Sequence, residues 1–344
     1  MPADTAVMIR LDRLIWTIIA AVALAIGTAD MFGSFRIDLA SYRTVAGACV
    51  VMIAGASFYM RFRTDLKLGS ALSGTAQIAA FAAVAAPLSY IAASAGLPLW
   101  DDNFIIWDRQ LGFDWLAWLA AMNAHPSLHL AFYLAYLSFT VQVTTTVLAL
   151  AFTNHLMRLR IFILGFMLAT LVTIAISALV PAQGVWGQLH LGLNDYPNIA
   201  PATQSTHLAV FLGLRDGSFR ELMAQGSEGI ISFPSLHAAL GLLFMLAMWP
   251  VPYLRWVAVA LNMLMIGATP VDGGHYFSDV IAGLVIAALC WMAAKSHVSG
   301  KDPSIEHTLA TQEAPSIVPD VEATPICARD SADQAVSRRP LKAT

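Results

Sequence analysis

Two short stretches of the sequence combine a histidine with neighbours that could support its chemistry. The first runs from Ser232 to His237, directly before an apolar run. Ser232 can cap a helix and Pro234 suits a first helical turn. Ser235, His237 and free backbone N–H groups would then lie at the helix N-terminus. Such an end carries unpaired donors and a positive partial charge, so it is a natural site for an anion.

The second stretch runs from Asp272 to Asp279 and also precedes an apolar run. Gly273 and Gly274 allow a tight turn and a close approach of the backbone to a ligand. His275 and Asp279 are four residues apart, so they share a helix face. A carboxylate bonded to one imidazole nitrogen fixes the tautomer and leaves the other nitrogen free to attack.

A pair of histidines at the starts of two helices divides naturally into a nucleophile and a general acid for phosphate transfer. The alternative is a metal site with two histidines and one carboxylate, formed by His237, His275 and Asp279. Asp279 is spaced to orient His275 rather than to bind a metal beside it. We therefore predict metal-independent chemistry with no cofactor.

The elements that carry these stretches are predicted to be membrane helices. Of 344 residues, 58% are hydrophobic and 12% are charged, about half the charged fraction of a soluble domain. The mean hydropathy is +0.67, and several apolar runs approach the length of about 20 residues that crosses a bilayer. The sequence predicts an all-α, polytopic membrane helix bundle with about eight transmembrane helices. The predicted spans are Leu14 to Phe32, Val45 to Met60, Leu72 to Leu97, Leu130 to Phe152, Ile161 to Val180, Leu236 to Trp249, Pro252 to Ala268 and Phe277 to Ala294.

Basic residues lie in alternate connections between these spans, and an excess of Lys and Arg marks the cytoplasmic side. The pattern predicts a multi-pass protein of the cell membrane with cytoplasmic N- and C-termini. Both histidines would then face the outer (periplasmic or lumenal) side. The first apolar run, after Arg10 and Arg13, is alternatively a cleaved signal peptide, which would leave the orientation of the later spans unchanged.

Composition divides the chain into three predicted parts: N-terminal transmembrane helices (1–68), a catalytic membrane domain (69–296) and a disordered cytoplasmic tail (297–344). Residues 99–126 mix tryptophans with carboxylates and are predicted to lie at the outer membrane–water interface. Residues 181–233 are too long for a simple connector and contain apolar and aromatic residues, so we predict an ordered outer cap. The tail is rich in Ser, Pro, Thr, Asp, Glu and Ala.

The two motifs resemble those of the type 2 phosphatidic acid phosphatase superfamily. Its second signature, Pro-Ser-x-His, is matched by Pro234, Ser235 and His237. Its third, a histidine followed four residues later by an aspartate, is matched by His275 and Asp279. The order, spacing and placement of the motifs extend the likeness over roughly 161–294, and the resemblance implies a catalytic core of six helices.

More narrowly, the chain looks like the inositol phosphorylceramide synthase-like (inositolphosphotransferase) branch, because Gly274, His275 and Tyr276 resemble the context in sphingolipid phosphotransferases. By that resemblance His275 would attack phosphorus and form a phosphohistidine, Asp279 would orient it, and His237 would protonate the leaving oxygen. An alcohol or water would then accept the phosphoryl group. The substrate would be a membrane phospholipid or sphingolipid.

The superfamily's arginine before the third-motif histidine and its lysine-containing first motif have no counterpart here. Phosphate still needs positive charge or N–H donors in its transition state. We predict that Arg215 or Arg220 supplies it, with Arg109 a weaker candidate and ordinary surface charges the alternative. Ser235, Gly274 and Tyr276 complete the predicted phosphate-binding residues.

Two other functions stay open from the sequence alone: a membrane transporter, and a catalytically inactive membrane scaffold. A transporter would place further ionisable residues deep inside the spans, where the sequence has uncharged polar ones such as Gln77 and Gln142. The net charge of −3 and the lack of basic runs argue against nucleic acid as a partner. The sequence leaves open the donor, the acceptor and whether the chain forms a homo-oligomer.

Overall fold

The computed structural model describes residues 3–33, 35–191, 195–203, 206–224 and 229–299. Within these residues nearly all regular structure is helical. The one sheet there is a parallel pair of two-residue strands, β1 (Arg36–Ile37) and β2 (Glu221–Leu222). The predicted all-α membrane bundle is therefore confirmed.

The helices follow one another with short connections through most of the chain. In order they are α1 (Ala3–Met31), α2 (Leu39–Phe58) with a π-helical continuation (Tyr59–Arg63), α3 (Leu66–Ala93), α4 (Asp101–Gln110), α5 (Trp115–Ala124), α6 (Pro126–Leu137), α7 (Phe139–Phe152), α8 (Leu156–Leu179), α9 (Val185–Gln188), α10 (Thr206–Asp216), α11 (Leu236–Met248), α12 (Leu254–Asp272) and α13 (Phe277–Ser299).

Six helices in the described part are long and apolar enough to cross a membrane: α1, α2 with its continuation, α3, α8, α12 and α13. The pair α6 and α7 makes a seventh if it is one span, since the two helices meet at a bend of 54°. α11 is apolar but has only 13 residues, about 20 Å against a hydrocarbon core of roughly 30 Å. All eight predicted spans thus coincide with apolar helices, of which six or seven are full-length.

The bend between α6 and α7 lies at Ser138. Its hydroxyl donates to the Ala135 carbonyl oxygen at 2.6 Å and accepts from the Gln142 amide at 2.9 Å. A serine side chain that bonds to a preceding carbonyl competes with the helical hydrogen-bond ladder and bends the helix. The sequence analysis did not predict this bend, because the run from Leu130 to Phe152 is apolar throughout.

The centre of the bundle is formed where α3, α8, α11 and α13 pack together. Phe162 of α8 lies 5.8 Å from Phe244 of α11, ring to ring, and Phe81 of α3 lies 6.2 Å from Phe166. Small residues let the helices approach: a β-carbon at Gly74 would lie 3.1 Å from the Ile163 side chain. Close packing of this kind holds helices together in lipid, where the hydrophobic effect does not act between them.

Arginines gather at one end of the bundle. The Arg158 guanidinium donates to backbone oxygens in the last turn of α11, where the helix dipole is negative. Arg160 pairs with Asp12 of α1 at 3.2 Å, and Arg10 donates to a backbone oxygen in the last turn of α13 at 3.3 Å. The two predicted motifs begin α11 and α13, so they lie at the opposite end.

That opposite end is covered by short helices. The predicted interfacial segment forms α4 and α5, with Trp107 40% exposed. The described parts of the predicted cap form α9, α10 and β2, and β2 pairs with β1 near the end of α1. Residues 192–194, 204–205 and 225–228 of the cap lie outside the described residues, as does the predicted tail beyond 299. α13 continues three residues into that predicted tail.

The starts of α11 and α13 touch through their backbones. The Ser235 N–H donates to the Asp279 carbonyl oxygen at 3.0 Å. A β-carbon at Gly283, one turn further along α13, would lie 2.2 Å from the Ser235 carbonyl oxygen. The contact therefore requires glycine at position 283.

Gly283→Ala should destabilise the protein by about 1–3 kcal/mol or more, because the added methyl group meets backbone that cannot rotate away. Thermal unfolding in detergent would show a lower midpoint. Gly27→Ala in α1 is the matched control, since a β-carbon there meets nothing within 4 Å. Equal midpoints for both variants would contradict the close contact.

Candidate active site

α11 begins one residue after its cap, Ser235. The Ser235 side chain accepts a hydrogen bond from the Ala238 N–H at 3.3 Å, and the helix starts at Leu236. The prediction that Ser232 caps the helix, with Pro234 in the first turn, is therefore wrong. Ser232 lies too far upstream, because a capping oxygen must reach an N–H two or three residues on.

His237 lies in the first turn of α11, and its ring is flanked by two aromatic side chains. The Tyr136 ring stacks on it, with centroids 4.2 Å apart and an angle of 17° between the planes. Phe139 approaches to 5.1 Å. The Tyr136 hydroxyl lies 3.3 Å from Nδ1 of His237. The two aromatic residues stand on either side of the bend between α6 and α7.

The turn before α13 depends on two glycines. Gly274 has a φ of +65°, and a β-carbon there would lie 2.9 Å from Trp186. A β-carbon at Gly273 would lie 2.6 Å from the His275 ring. Any larger residue would strain or displace the turn, so these glycines place the backbone directly behind His275.

His275 is buried beside Asp279. Nδ1 of His275 lies 3.4 Å from Oδ2 of Asp279, and the same oxygen accepts the Tyr276 N–H at 3.0 Å. Burial lowers the pKa of His275 to about 4, and a hydrogen bond to the Ser232 backbone partly opposes that shift. His275 is therefore neutral at neutral pH, which is the state in which an imidazole nitrogen can attack.

His237 and His275 line the same cavity, which has a volume of about 410 Å³. Its other walls are mostly apolar and come from the bundle helices and from residues of the cap. They include Phe81 of α3, Phe139 of α7, Phe166 and Ile174 of α8, and Leu240 of α11. A cavity of this shape can hold a molecule that has an apolar part and one polar group beside the imidazoles.

The ionisable side chains among the described residues that line this cavity are Tyr136, His207, His237 and His275. No lysine, arginine or carboxylate lines it in that part of the chain. His207 of α10 also lines a smaller neighbouring cavity of about 90 Å³. Among these described lining residues, a formal positive charge would therefore have to be carried by an imidazole.

Three of the predicted phosphate-binding residues lie beside the cavity rather than in its described lining. Ser235 is fully buried as the helix cap. The Gly274 carbonyl oxygen accepts the Val185 N–H at 2.9 Å, and the Tyr276 hydroxyl donates to Asp101 at 2.8 Å. Their polar groups make hydrogen bonds that hold the two motifs in place. The structure does not support a direct contact between these three residues and a phosphate in the cavity.

The predicted arginines are also placed elsewhere. Arg215 donates to the Leu97 carbonyl oxygen at 2.7 Å. Arg220 donates to the Leu214 carbonyl oxygen at 2.6 Å, and its guanidinium lies 5.1 Å from the Phe35 ring centre. Arg109 lines a separate cavity. The structure does not bring these arginines together with the two histidines.

Two carboxylates that the sequence analysis treated as interfacial hold the third motif in place. Asp108 accepts from the Phe277 and Ser278 N–H groups, both at 2.8 Å, at the start of α13. Asp101 accepts from the Gly184 N–H at 3.0 Å and from the Tyr276 hydroxyl. Burial raises the pKa of Asp101, and its hydrogen bonds oppose that shift. Asp101 and Asp108 are seven residues apart, which places both on one face of α4. This spacing was the sequence signal that could have predicted a shared supporting role.

The PAP2 superfamily model matches residues 102–293, more than half of the chain. The chain belongs to the PAP2 superfamily. The matched segment runs from α4 to near the end of α13 and contains both histidines, Asp279 and Asp108. The comparisons with curated proteins and with solved structures each gave no match. The superfamily predicted from the motifs is confirmed, while the inositolphosphotransferase branch stays a prediction.

Asp108→Asn should destabilise the start of α13 by about 1.5–3 kcal/mol, because one acceptor oxygen is replaced by a donor that faces an N–H group. Chemical unfolding in detergent would measure the loss. Asp102→Asn is the matched control on the same helix, since Asp102 is exposed and accepts one amide hydrogen bond, from Gln188 at 2.7 Å. Asparagine can still accept that bond, so equal stability of the two variants would refute the anchoring role of Asp108.

Proposed function

We propose that this PAP2 superfamily member is an integral membrane lipid phosphotransferase or phosphatase that works through a phosphohistidine. The observation that carries the proposal is the shared cavity of His237 and His275 with its apolar walls. The superfamily match supports phosphatase-type chemistry. The apolar helices around the cavity support a lipid as the substrate.

In the proposed reaction His275 is the nucleophile. A ring nitrogen attacks phosphorus, a nitrogen–phosphorus bond forms, and the bond from phosphorus to the leaving oxygen breaks. Asp279, 3.4 Å from Nδ1, holds the ring orientation and stabilises the positive charge that develops on it. The low pKa of His275 keeps the nucleophile unprotonated without a separate base.

His237 is the proposed general acid. It gives a proton to the leaving oxygen in the first step and takes one from the incoming alcohol or water in the second. The second step breaks the nitrogen–phosphorus bond and restores neutral His275. No metal ion takes part in this proposal, and the described residues hold no cluster of His, Cys, Asp or Glu suited to one.

The apolar walls from α3, α7, α8 and α11 support a lipid whose chains lie against the bundle while its phosphate reaches the imidazoles. His207 lines the same cavity, so we propose it, in place of Arg215 or Arg220, as the residue that binds phosphate. Under the positive-inside rule, the end of the bundle that carries Arg10, Arg158 and Arg160 would face the cytoplasm. The active site would then open on the outer side.

The roles of the two histidines can be separated with an activated substrate. In a panel of phosphate-labelled glycerophospholipids and sphingophospholipids, His275→Ala and His237→Ala should each lower turnover by about a thousandfold or more. With a p-nitrophenyl ester of the same lipid phosphate, the leaving group needs no proton. His237→Ala should recover most of its activity there, and His275→Ala should not.

His190→Ala is the matched control, because its ring is exposed and bonds to the Gly187 carbonyl oxygen of its own turn. Full activity of both catalytic variants with intact folding would refute the mechanism. Absence of turnover in the wild-type protein across the panel would favour an inactive scaffold. Labelled free phosphate identifies a phosphatase, and transfer of the label to an added alcohol identifies a transferase.

His207→Gln should lower kcat/KM by about ten- to a hundredfold, because glutamine does not reproduce the position of the imidazole beside the transferring phosphate. Steady-state kinetics on the best lipid of the panel would measure the change. His190→Gln makes the same substitution in the same cap and should leave kcat/KM unchanged. An unaltered kcat/KM in His207→Gln would show that His207 does not bind the phosphate.

A further inference from the structure

We propose that Tyr136 is the positioning residue of His237, and that its hydroxyl keeps Nε2 as the nitrogen that exchanges protons with the substrate. The kinetic consequences of this inference rest on the proposed function. The tautomer and orientation of the His237 imidazole, however, can be measured without turnover. Neither the two motifs nor the superfamily match assigns a role to Tyr136.

The contact between the two side chains is made in two ways at once. The rings stack at 4.2 Å, which restricts the imidazole to one plane, and the hydroxyl lies 3.3 Å from Nδ1. Tyr136 is itself 5% exposed and is held within the bundle. Within the described part of the chain, the Tyr136 hydroxyl is the side-chain group that lies within hydrogen-bonding distance of this ring.

The backbone of α6 fixes where Tyr136 stands. His129, two helical turns earlier, lies on the same face, and its Nε2 is 3.4 Å from Oδ1 of Asp272. Between them, Phe132 packs against Gly267 of α12, where a β-carbon would lie 3.2 Å from its ring. One face of α6 therefore contacts the end of α12 through His129 and the start of α11 through Tyr136.

The bend after Tyr136 contributes to the same arrangement. α6 ends at Leu137 and α7 starts at Phe139 with a change of direction of 54°. Tyr136 and Phe139 both reach His237 from this bend. The imidazole is thus contacted by two aromatic rings, and His237 lines the cavity that His275 also lines.

The hydroxyl has a definite chemical use in the proposed cycle. When it accepts a hydrogen bond from Nδ1–H, that proton stays on Nδ1 in both the imidazolium and the neutral ring. Proton loss and gain then occur at Nε2 only, toward the leaving oxygen in the first step and from the acceptor in the second. Asp279 has the corresponding place at Nδ1 of His275.

Other titratable groups near His237 stand in different positions. His275 and His207 line the same cavity, from the turn before α13 and from α10. Asp272 is fully buried and is paired with His129. Among these groups, Tyr136 is the one whose hydroxyl lies within hydrogen-bonding distance of Nδ1 of His237.

The test compares Tyr136→Phe with Tyr133→Phe, a half-buried tyrosine on the same helix whose ring lies 6.3 Å from that of His129. Tyr136→Phe keeps the stacking and removes the hydroxyl. We expect kcat to fall about tenfold with KM within twofold of wild type, and the pH profile of kcat to shift, because Nδ1 loses its acceptor. Tyr133→Phe should change neither.

A readout that needs no substrate is nitrogen NMR of isotope-labelled histidine in detergent, with the His237 signals identified by their loss in His237→Gln. Wild type should show protonated Nδ1 and unprotonated Nε2 in the neutral ring, and Tyr136→Phe should show a mixture of tautomers. The same tautomer in both proteins, or an unchanged kcat and pH profile, would overturn the proposal. Wild-type protein with the expected tautomer but no lipid turnover would remove the proposed function and leave the positioning contact standing.

Discussion

The candidate active site depends on one backbone contact, the junction between the starts of α11 and α13. Ser235 donates to the Asp279 carbonyl oxygen at 3.0 Å, and Gly283 leaves room for the Ser235 carbonyl. His237 follows Ser235 by two residues, and Asp279 reaches back to His275. The distance between the two imidazoles therefore follows from this junction, since each lies within one turn of it.

Around that junction, elements outside both motifs supply the support. α4 presents Asp101 and Asp108 to the turn and the first N–H groups of α13. α6 presents Tyr136 to His237 and His129 to Asp272. Because these side chains are buried and hold backbone or ring atoms directly, they limit the motion of the groups that the proposed proton and phosphoryl transfer would need aligned.

The charge of the cavity is its most unusual feature for a site that would bind phosphate. The ionisable groups among its described lining residues are three histidines and a tyrosine. Imidazoles can change protonation during a reaction, whereas arginine keeps its charge. The proposed chemistry thus relies on groups whose charge depends on their surroundings, which gives burial and hydrogen bonding direct control over activity.

The sequence by itself determined the eight apolar segments, the all-α class, the superfamily and the two histidine motifs, because hydropathy and short-range spacing are local properties. It did not determine that Ser235 rather than Ser232 caps α11, that the fourth span bends at Ser138, or that Arg215 and Arg220 stay away from the histidines. The contacts of Asp108 and Tyr136 are visible only in the tertiary structure. Their partners, Phe277 and His237, lie more than a hundred residues away, and helix packing alone decides which distant side chains meet.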